Sequence, residues 1–264
     1  MQRAVASAVS FLVLLAGAMS AMACPVNVAR GPGLLRLATF DATVPVAQET
    51  LRLYFAGHAT FQIETPGGAV IVLDYNGVNR PTRLPDLITM NNAHITHYTN
   101  NVPPEIKTVL RGWNTGSGIP HHDVMLKDAR VRSIPTNFSE MGGGTNGNSV
   151  WVVEAAGLCI AHLSHLHHTM SREHVAALGP IDVLLAPIDG RVTMSHDELI
   201  DTIRQIKPTV IVPMHWFYGG DIELFLSRMQ DDYPVKRSPE PWVVLSARNL
   251  PKQPEILLLP GNAF

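Results

Sequence analysis

A succession of short, β-branched apolar runs, broken by turn residues, precedes any segment with helical periodicity, and this order limits the folds open to the chain. Strands are expected at Leu51–Phe55, Thr60–Glu64 and Ala69–Leu73, separated by Gly57 and by Pro66-Gly67-Gly68, a meander with hairpin turns. Further β-rich runs follow at Asp86–Met90, Val124–Lys127, Val131–Ile134, Val150–Glu154 and Leu158–Ala161. Helical patterns begin only at Ser171–Leu178 and Ser195–Lys207, the second opened by a Ser195/Glu198 capping box. They bracket a strand at Ile181–Ala186, and a strand at Thr209–Pro213, a helix at Asp221–Asp231 and strands at Trp242–Leu245 and Glu255–Leu259 complete the pattern. Strands first, then strands alternating with helices, predict an α/β fold of four layers, an αββα sandwich with two sheets face to face. A doubly wound sheet competes, but no Gly-rich phosphate fingerprint follows the first strand.

The N-terminal residues carry an address. Arg3 precedes an apolar run from Ala4 to Ala18, and Ala21-Met22-Ala23 is the small-x-small pattern of signal-peptidase cleavage. The expected organisation is a signal peptide over 1–23, an extension over 24–50 and one domain over 51–264, in a protein exported to the periplasm or its equivalent. Lipidation of Cys24 would add a membrane anchor, although Ala21 stands where a lipoprotein signal usually has Leu. Cys159, inside an apolar run, reads as a small buried residue; a Cys24–Cys159 disulfide is the alternative in an oxidising compartment. A net charge of −2 without a basic cluster excludes a nucleic-acid partner, and 46% hydrophobic residues suffice for a sizeable core.

Histidines gather where these strands end. His94 and His97 follow Asp86–Met90, His162 and His165 follow Leu158–Ala161, and His215 follows Thr209–Pro213. Neutral imidazole is the commonest metal ligand among side chains, and loops at strand ends bring distant ligands onto one ion.

The segments Gly57-His58-Ala59-Thr60-Phe61, Val72-Leu73-Asp74, Gly157 to Leu163, Val183 to Pro187 and Val212-Pro213-Met214-His215 resemble the metallo-β-lactamase-fold hydrolases, in the branch containing ascorbate-phosphate lactonase. The resemblance spans roughly residues 51 to 259. The family pattern H-x-H-x-D-H falls on Asn92-Ala93-His94-Ile95-Thr96-His97, so two of its four ligands are replaced. Mapped residue by residue, one metal position would keep His94 with Asn92, Asn137 and a share of His165. The other would hold His97, His165 and His215. His165 stands in place of the family's bridging aspartate, and an imidazole serves one metal where a carboxylate bridges two. The resemblance therefore implies one ion rather than two, held chiefly by His97, His165 and His215 with His94 as a further candidate ligand, zinc first, with iron or manganese as alternatives.

Other residues receive lesser roles. Asp74 matches a family aspartate that steadies ligand loops, against the simpler reading of a turn residue. Asp189, after a buried strand, is the candidate catalytic group, as general base or as hydrogen-bond partner of a ligand. His58 is read as structural, His162 as scaffold, His168 as the family's histidine beside the bridging ligand and His167 as solvent-facing. His121 and His122 read as a solvated turn, and Glu140 beside Gly142-Gly143-Gly144 as a weaker base near substrate.

The expected function is hydrolysis of an ester, lactone, amide or phosphoester in a small-molecule substrate by metal-bound hydroxide. The alternative is a metal- or ligand-binding protein that kept the fold and lost turnover. Mass spectrometry of the protein from its native host should find a mature N-terminus at Cys24; a mature protein that retains Met1 would contradict export.

Overall fold

The computed structural model describes residues 43–116, 118–137 and 146–261. The signal segment, Cys24, Glu140 and the Gly142–Gly144 loop lie outside the described residues. In chain order the first strands are β1 (Leu51–Gly57), β2 (Thr60–Glu64), β3 (Val70–Leu73), β4 (Leu87–Met90) and β5 (Thr108–Arg111). Then come β6 (Asp123–Leu126), β7 (Ala129–Thr136), β8 (Asn148–Ala155) and β9 (Leu158–His162). Helix α1 (Arg172–Leu178), β10 (Val183–Pro187), α2 (His196–Ile206), β11 (Val210–Met214) and α3 (Gly219–Met229) alternate before β12 (Val235–Arg237), β13 (Trp242–Leu245) and β14 (Glu255–Leu258).

Two sheets result, a six-stranded one ordered β13-β1-β2-β3-β4-β5 and an eight-stranded one ordered β12-β14-β11-β10-β9-β8-β7-β6. The fold is the expected α/β sandwich. Side chains alternate across a strand, so each strand of the first sheet feeds two different environments. Leu51, Leu53 and Phe55 of β1, Phe61 and Ile63 of β2, and Ile71 and Leu73 of β3 enter a large core shared with the second sheet. Burying each such side chain contributes roughly 1.5–3 kcal/mol. Val72 and Ile88 face the other way, into a smaller cluster with Tyr75, Met90 and Ile106.

The second sheet changes character at β9. Strands β9, β10 and β11 are parallel to one another, and parallel neighbours require crossover connections, supplied here by α1 and α2. Val183–Pro187 and Val210–Met214 are buried throughout, as expected for parallel strands covered on both faces. Helix α2 starts where Ser195 Oγ accepts from the Glu198 amide and Glu198 reaches back to the Ser195 amide. It buries Leu199, Ile200, Ile203 and Ile206 on the core side. Helix α1 opens on the same device, Ser171 with His174.

Two strands lie outside the sequence reading. Both are at sheet edges: β5 is four residues long and mostly half-exposed, and β12 is three residues of which two are exposed. Neither has enough buried alternation to announce itself. Cys159 is buried in β9 as expected, yet its sulfur is disulfide-bonded, as in the alternative reading, rather than a free apolar filler; Cys24 lies outside the described residues.

Strand β3 is parallel to β4, so Asp74 and the turn carrying His94 and His97 leave the same edge of the first sheet. The parallel run β9–β10–β11 likewise sends His165, Asp189 and His215 off one edge of the second. Ligand sites in α/β proteins gather at the carboxyl ends of parallel strands.

Candidate metal centre

Each candidate ligand is aimed by a short, hydrogen-bonded departure from its strand. After β4 the chain makes a tight turn in which the His97 amide donates to His94 O (2.9 Å) and the Asn91 amide to His97 O (3.1 Å). Both rings thereby stay near the sheet edge. After β9, Ser164 adopts a φ of 55°, and the next residue's amide, that of His165, donates to Asn148 Oδ1 (3.0 Å). His215 follows β11 with a φ of 57° and its amide donates to His58 O (2.8 Å). His58 and Asp74 also have positive φ, 52° and 56°. Non-glycine residues held there cost of order 1–2 kcal/mol each, and such strain concentrates at sites that use it.

The four rings of His94, His97, His165 and His215 converge so that one nitrogen from each lies within 4.8 Å of the others. His97 Nε2 is 3.2 Å from His215 Nε2, and His94 Nε2 is 3.0 Å from His165 Nε2. Three of the rings are buried and His94 is half-buried. Among the described residues these four form the one group of histidine, cysteine and carboxylate side chains arranged to hold an ion.

Two carboxylates decide which nitrogens carry hydrogen. His97 Nδ1 lies 2.5 Å from Asp74 Oδ2, and His215 Nδ1 lies 3.1 Å from Asp189 Oδ1. Burial raises the Asp74 carboxyl to about 6, against the opposing pull of His162 and of the Asn91 hydrogen bond. For Asp189, burial also acts upward but is outweighed by the His215 hydrogen bond and charge and by Thr193, leaving it well below the usual carboxylate range. In their ionised forms both carboxylates only accept, so each imidazole then donates from Nδ1 and turns a bare Nε2 lone pair inward. Two lone pairs facing each other at 3.2 Å repel unless a cation lies between them. Zinc–nitrogen bonds of about 2.0–2.1 Å place neighbouring nitrogens of a tetrahedral set about 3.3 Å apart, so the donor set fits an ion.

Protonation is a poor substitute for that cation. Burial pushes His97 well below its ordinary value, helped by the positive charge His215 would carry, and burial with His97 and His215 does the same to His165. His94 is lowered by burial and by His215. His165 Nδ1 is buried without a hydrogen-bond partner.

Several expectations are revised by this geometry. Asp189 is expected as a general base or as a ligand's partner, and its contacts are those of a partner. Its Oδ1 accepts from Thr193 Oγ1 (2.5 Å) besides His215, and its Oδ2 accepts from the amides of Arg191, Val192 and Thr193 (2.9, 2.6 and 3.2 Å). Contacts that occupy both oxygens fit a role in holding His215 in place. Asn92 is exposed, and Asn137 Oδ1 accepts from the Asn146 amide (2.9 Å), so neither amide joins the cluster. His94 stands with the other three histidines rather than at a separate position. His167, expected in solvent, is half-buried with its ring 4.8 Å from that of His165. His168 instead accepts from the Asn137 amide (3.1 Å).

Of the remaining histidines, His162 and His58 have structural surroundings, whereas His122, expected in a solvated turn, is half-buried. His162 Nε2 donates to Ala59 O (2.7 Å) and its Nδ1 meets Ser164, which locks the strand end instead of joining the cluster. His58 lies over the His215 ring at 4.2 Å, and its Nε2 is 3.1 Å from Thr96 Oγ1. Thr96 Oγ1 in turn is 2.7 Å from His94 Nδ1, so a hydroxyl orients His94 where carboxylates orient His97 and His215. His122 hydrogen-bonds Arg111 O and lies against the Trp151 ring.

Asp189→Asn replaces an acceptor by an amide whose nitrogen cannot accept from Thr193 or the backbone amides. Competition with a chromogenic chelator is expected to show metal affinity about 10–100-fold weaker, the usual worth of a ligand's hydrogen-bond partner. Unchanged affinity would contradict the positioning role.

Comparisons with known proteins agree with this architecture. A family profile described as beta-lactamase superfamily domain matches residues 52–215. A UPF0173 protein of Pyrococcus abyssi is 27% identical over 203 residues, 68% of this chain and 91% of its own length. A UPF0173 metal-dependent hydrolase of Thermoplasma acidophilum is 28% identical over 188 residues, 64% of this chain and 84% of its own. A crystal structure from Thermotoga maritima, assigned to the zinc-dependent hydrolases of the metallo-β-lactamase superfamily, shares the fold with a TM-score of 0.58 at 22% identity, covering 79% of this chain and 98% of that one. The sheet order, the histidines at the strand ends and the matched profile together place the chain in the metallo-β-lactamase-fold hydrolase superfamily.

Proposed function

We propose that this metal-dependent hydrolase is an exported enzyme that uses one zinc ion to cleave an ester, lactone, amide or phosphoester bond in a small-molecule substrate. The observation that carries the reading is the pair of Nε2 atoms of His97 and His215, fixed 3.2 Å apart with their lone pairs inward by Asp74 and Asp189. An all-imidazole donor set suits zinc better than carboxylate-seeking magnesium or manganese. The export signal and the disulfide at Cys159 support an oxidising compartment.

When bound, the ion supplies Lewis-acid polarisation of the scissile group and activation of water. The chain's own residues set how that chemistry is reached. His97, His165 and His215 are the buried holders, and the carboxylates behind two of them keep ring orientation and tautomer. His94 is half-buried and its Nδ1 meets the Thr96 hydroxyl rather than a carboxylate, so it would be the most loosely held of the four donors. One ion is favoured because, among the described residues, the donors form a single cluster, Asn92 is exposed and Asn137 is bonded to the Asn146 amide.

Four converging nitrogens also favour a second reading, a closed tetrahedral site of the kind that binds metal without turnover. Metal analysis joined to a screen of ester, lactone, amide and phosphodiester substrates separates the two. The enzyme reading predicts about one zinc per chain, hydrolysis lost on chelation and restored by zinc, metal retained in His94→Ala and lost in His165→Ala. Zinc-loaded wild type inert towards every class, with His94→Ala equally inert, would establish the closed site instead.

A further inference from the structure

A cavity of about 950 Å³ lies beside the histidine centre, between the segments 75–85 and 95–106. We infer that it holds the body of the substrate and that its occupant is an amphipathic carboxylate, an aliphatic chain carrying an anionic group. The inference rests on the hydrolase reading for the word substrate, but the pocket and its ligand chemistry stand on separate observations.

Three large apolar side chains of the lining meet solvent. Val78, Leu84 and Ile95 all line the cavity and are 76%, 59% and 76% exposed. Large apolar side chains scattered singly over a surface are ordinary, but a group of them around one cavity marks a binding site. Charge points the same way. In a chain of net charge −2 the lining contains Arg80 and Arg83 and no aspartate or glutamate. Arg83 is committed to the buried Glu64 (3.1 Å). Arg80 is exposed and makes no ion pair among the described residues, so a guanidinium is available at the rim for a carboxylate.

The walls are built in advance rather than left to the ligand. Buried Gln62 accepts from the Thr82 amide (2.8 Å) and donates to Thr82 Oγ1 (2.8 Å), pinning one wall to β2. Asn76 Oδ1 accepts from the amides of Val78 and Asn79, while its Nδ2 donates to Thr96 O (2.9 Å). That last bond ties the wall to the turn bearing His94 and His97. His58 and Thr96 belong to the lining, and both contact histidines of the centre. A ligand body held here is therefore next to the candidate metal centre.

Calorimetry with octanoate and with octanamide, which share a chain and differ in head-group charge, tests the assignment. It is run on the zinc-loaded protein and again after chelation, so that binding through the metal is separated from binding in the cavity. Octanoate is expected to bind both forms, octanamide roughly 10-fold more weakly, the scale of one charge-assisted hydrogen bond. Arg80→Gln should erase that difference, and Ile95→Asp should weaken both ligands. No octanoate binding after chelation, or the same preference in Arg80→Gln, would overturn the pocket whatever the hydrolysis screen finds. Octanoate bound as expected in a zinc-loaded protein that hydrolyses nothing would keep the pocket and remove the hydrolase reading. Hydrolysis without octanoate binding would do the reverse.

Discussion

The centre depends on two hydrogen bonds between buried carboxylates and imidazoles, Asp74 to His97 and Asp189 to His215. Each fixes a tautomer, and the two fixed tautomers turn bare nitrogens toward one another. A core would not retain that arrangement for its own stability. Opposed lone pairs repel, and protonating His97 means placing a charge in a buried, already histidine-rich space. A cation would resolve the conflict, and the remaining rings, His94 and His165, stand close enough to share it.

The fold makes the arrangement possible by bringing one edge from each sheet to the same place. Asp74 and the His94/His97 turn leave β3 and β4; His165, Asp189 and His215 leave β9, β10 and β11. The sheets are held by the core into which Leu53, Phe61 and Leu73 project from one side and Trp151, Val183 and Val212 from the other. Positive φ at His58, Asp74, Ser164 and His215 is the local cost of turning four side chains sharply away from their strands. His162, bonded to Ala59 O across the sandwich, helps hold the two sheet edges together without donating to the cluster.

Much of this was legible in the sequence because it is written in period and position. Strand runs ending in histidine, with capping boxes at Ser171 and Ser195, are local signals, and the structure places them where the pattern does. What failed to show is direction. His167 and His168 are adjacent in an irregular segment with no periodicity to say which ring turns inward, and the structure turns His167 toward His165. Asp189 lies at the expected strand end, but its role follows from three amides and Thr193 closing around it, a turn conformation no residue pattern announces. Asn92 and Asn137 looked like substitutes for lost ligands only through family alignment; one is exposed and the other caps its own loop. The cavity lined by Val78, Leu84 and Ile95 arises from two irregular segments folded against each other, so its apolar rim is invisible in one dimension.

The central claim is that imidazole nitrogens from these strand ends hold one ion. X-ray absorption at the zinc edge of the zinc-loaded protein measures this most directly. The account predicts a nitrogen-dominated shell at about 2.0–2.1 Å with the outer-shell scattering of several imidazole rings, diminished in His97→Ala. A shell of oxygen ligands without imidazole scattering, unchanged by that substitution, would contradict it.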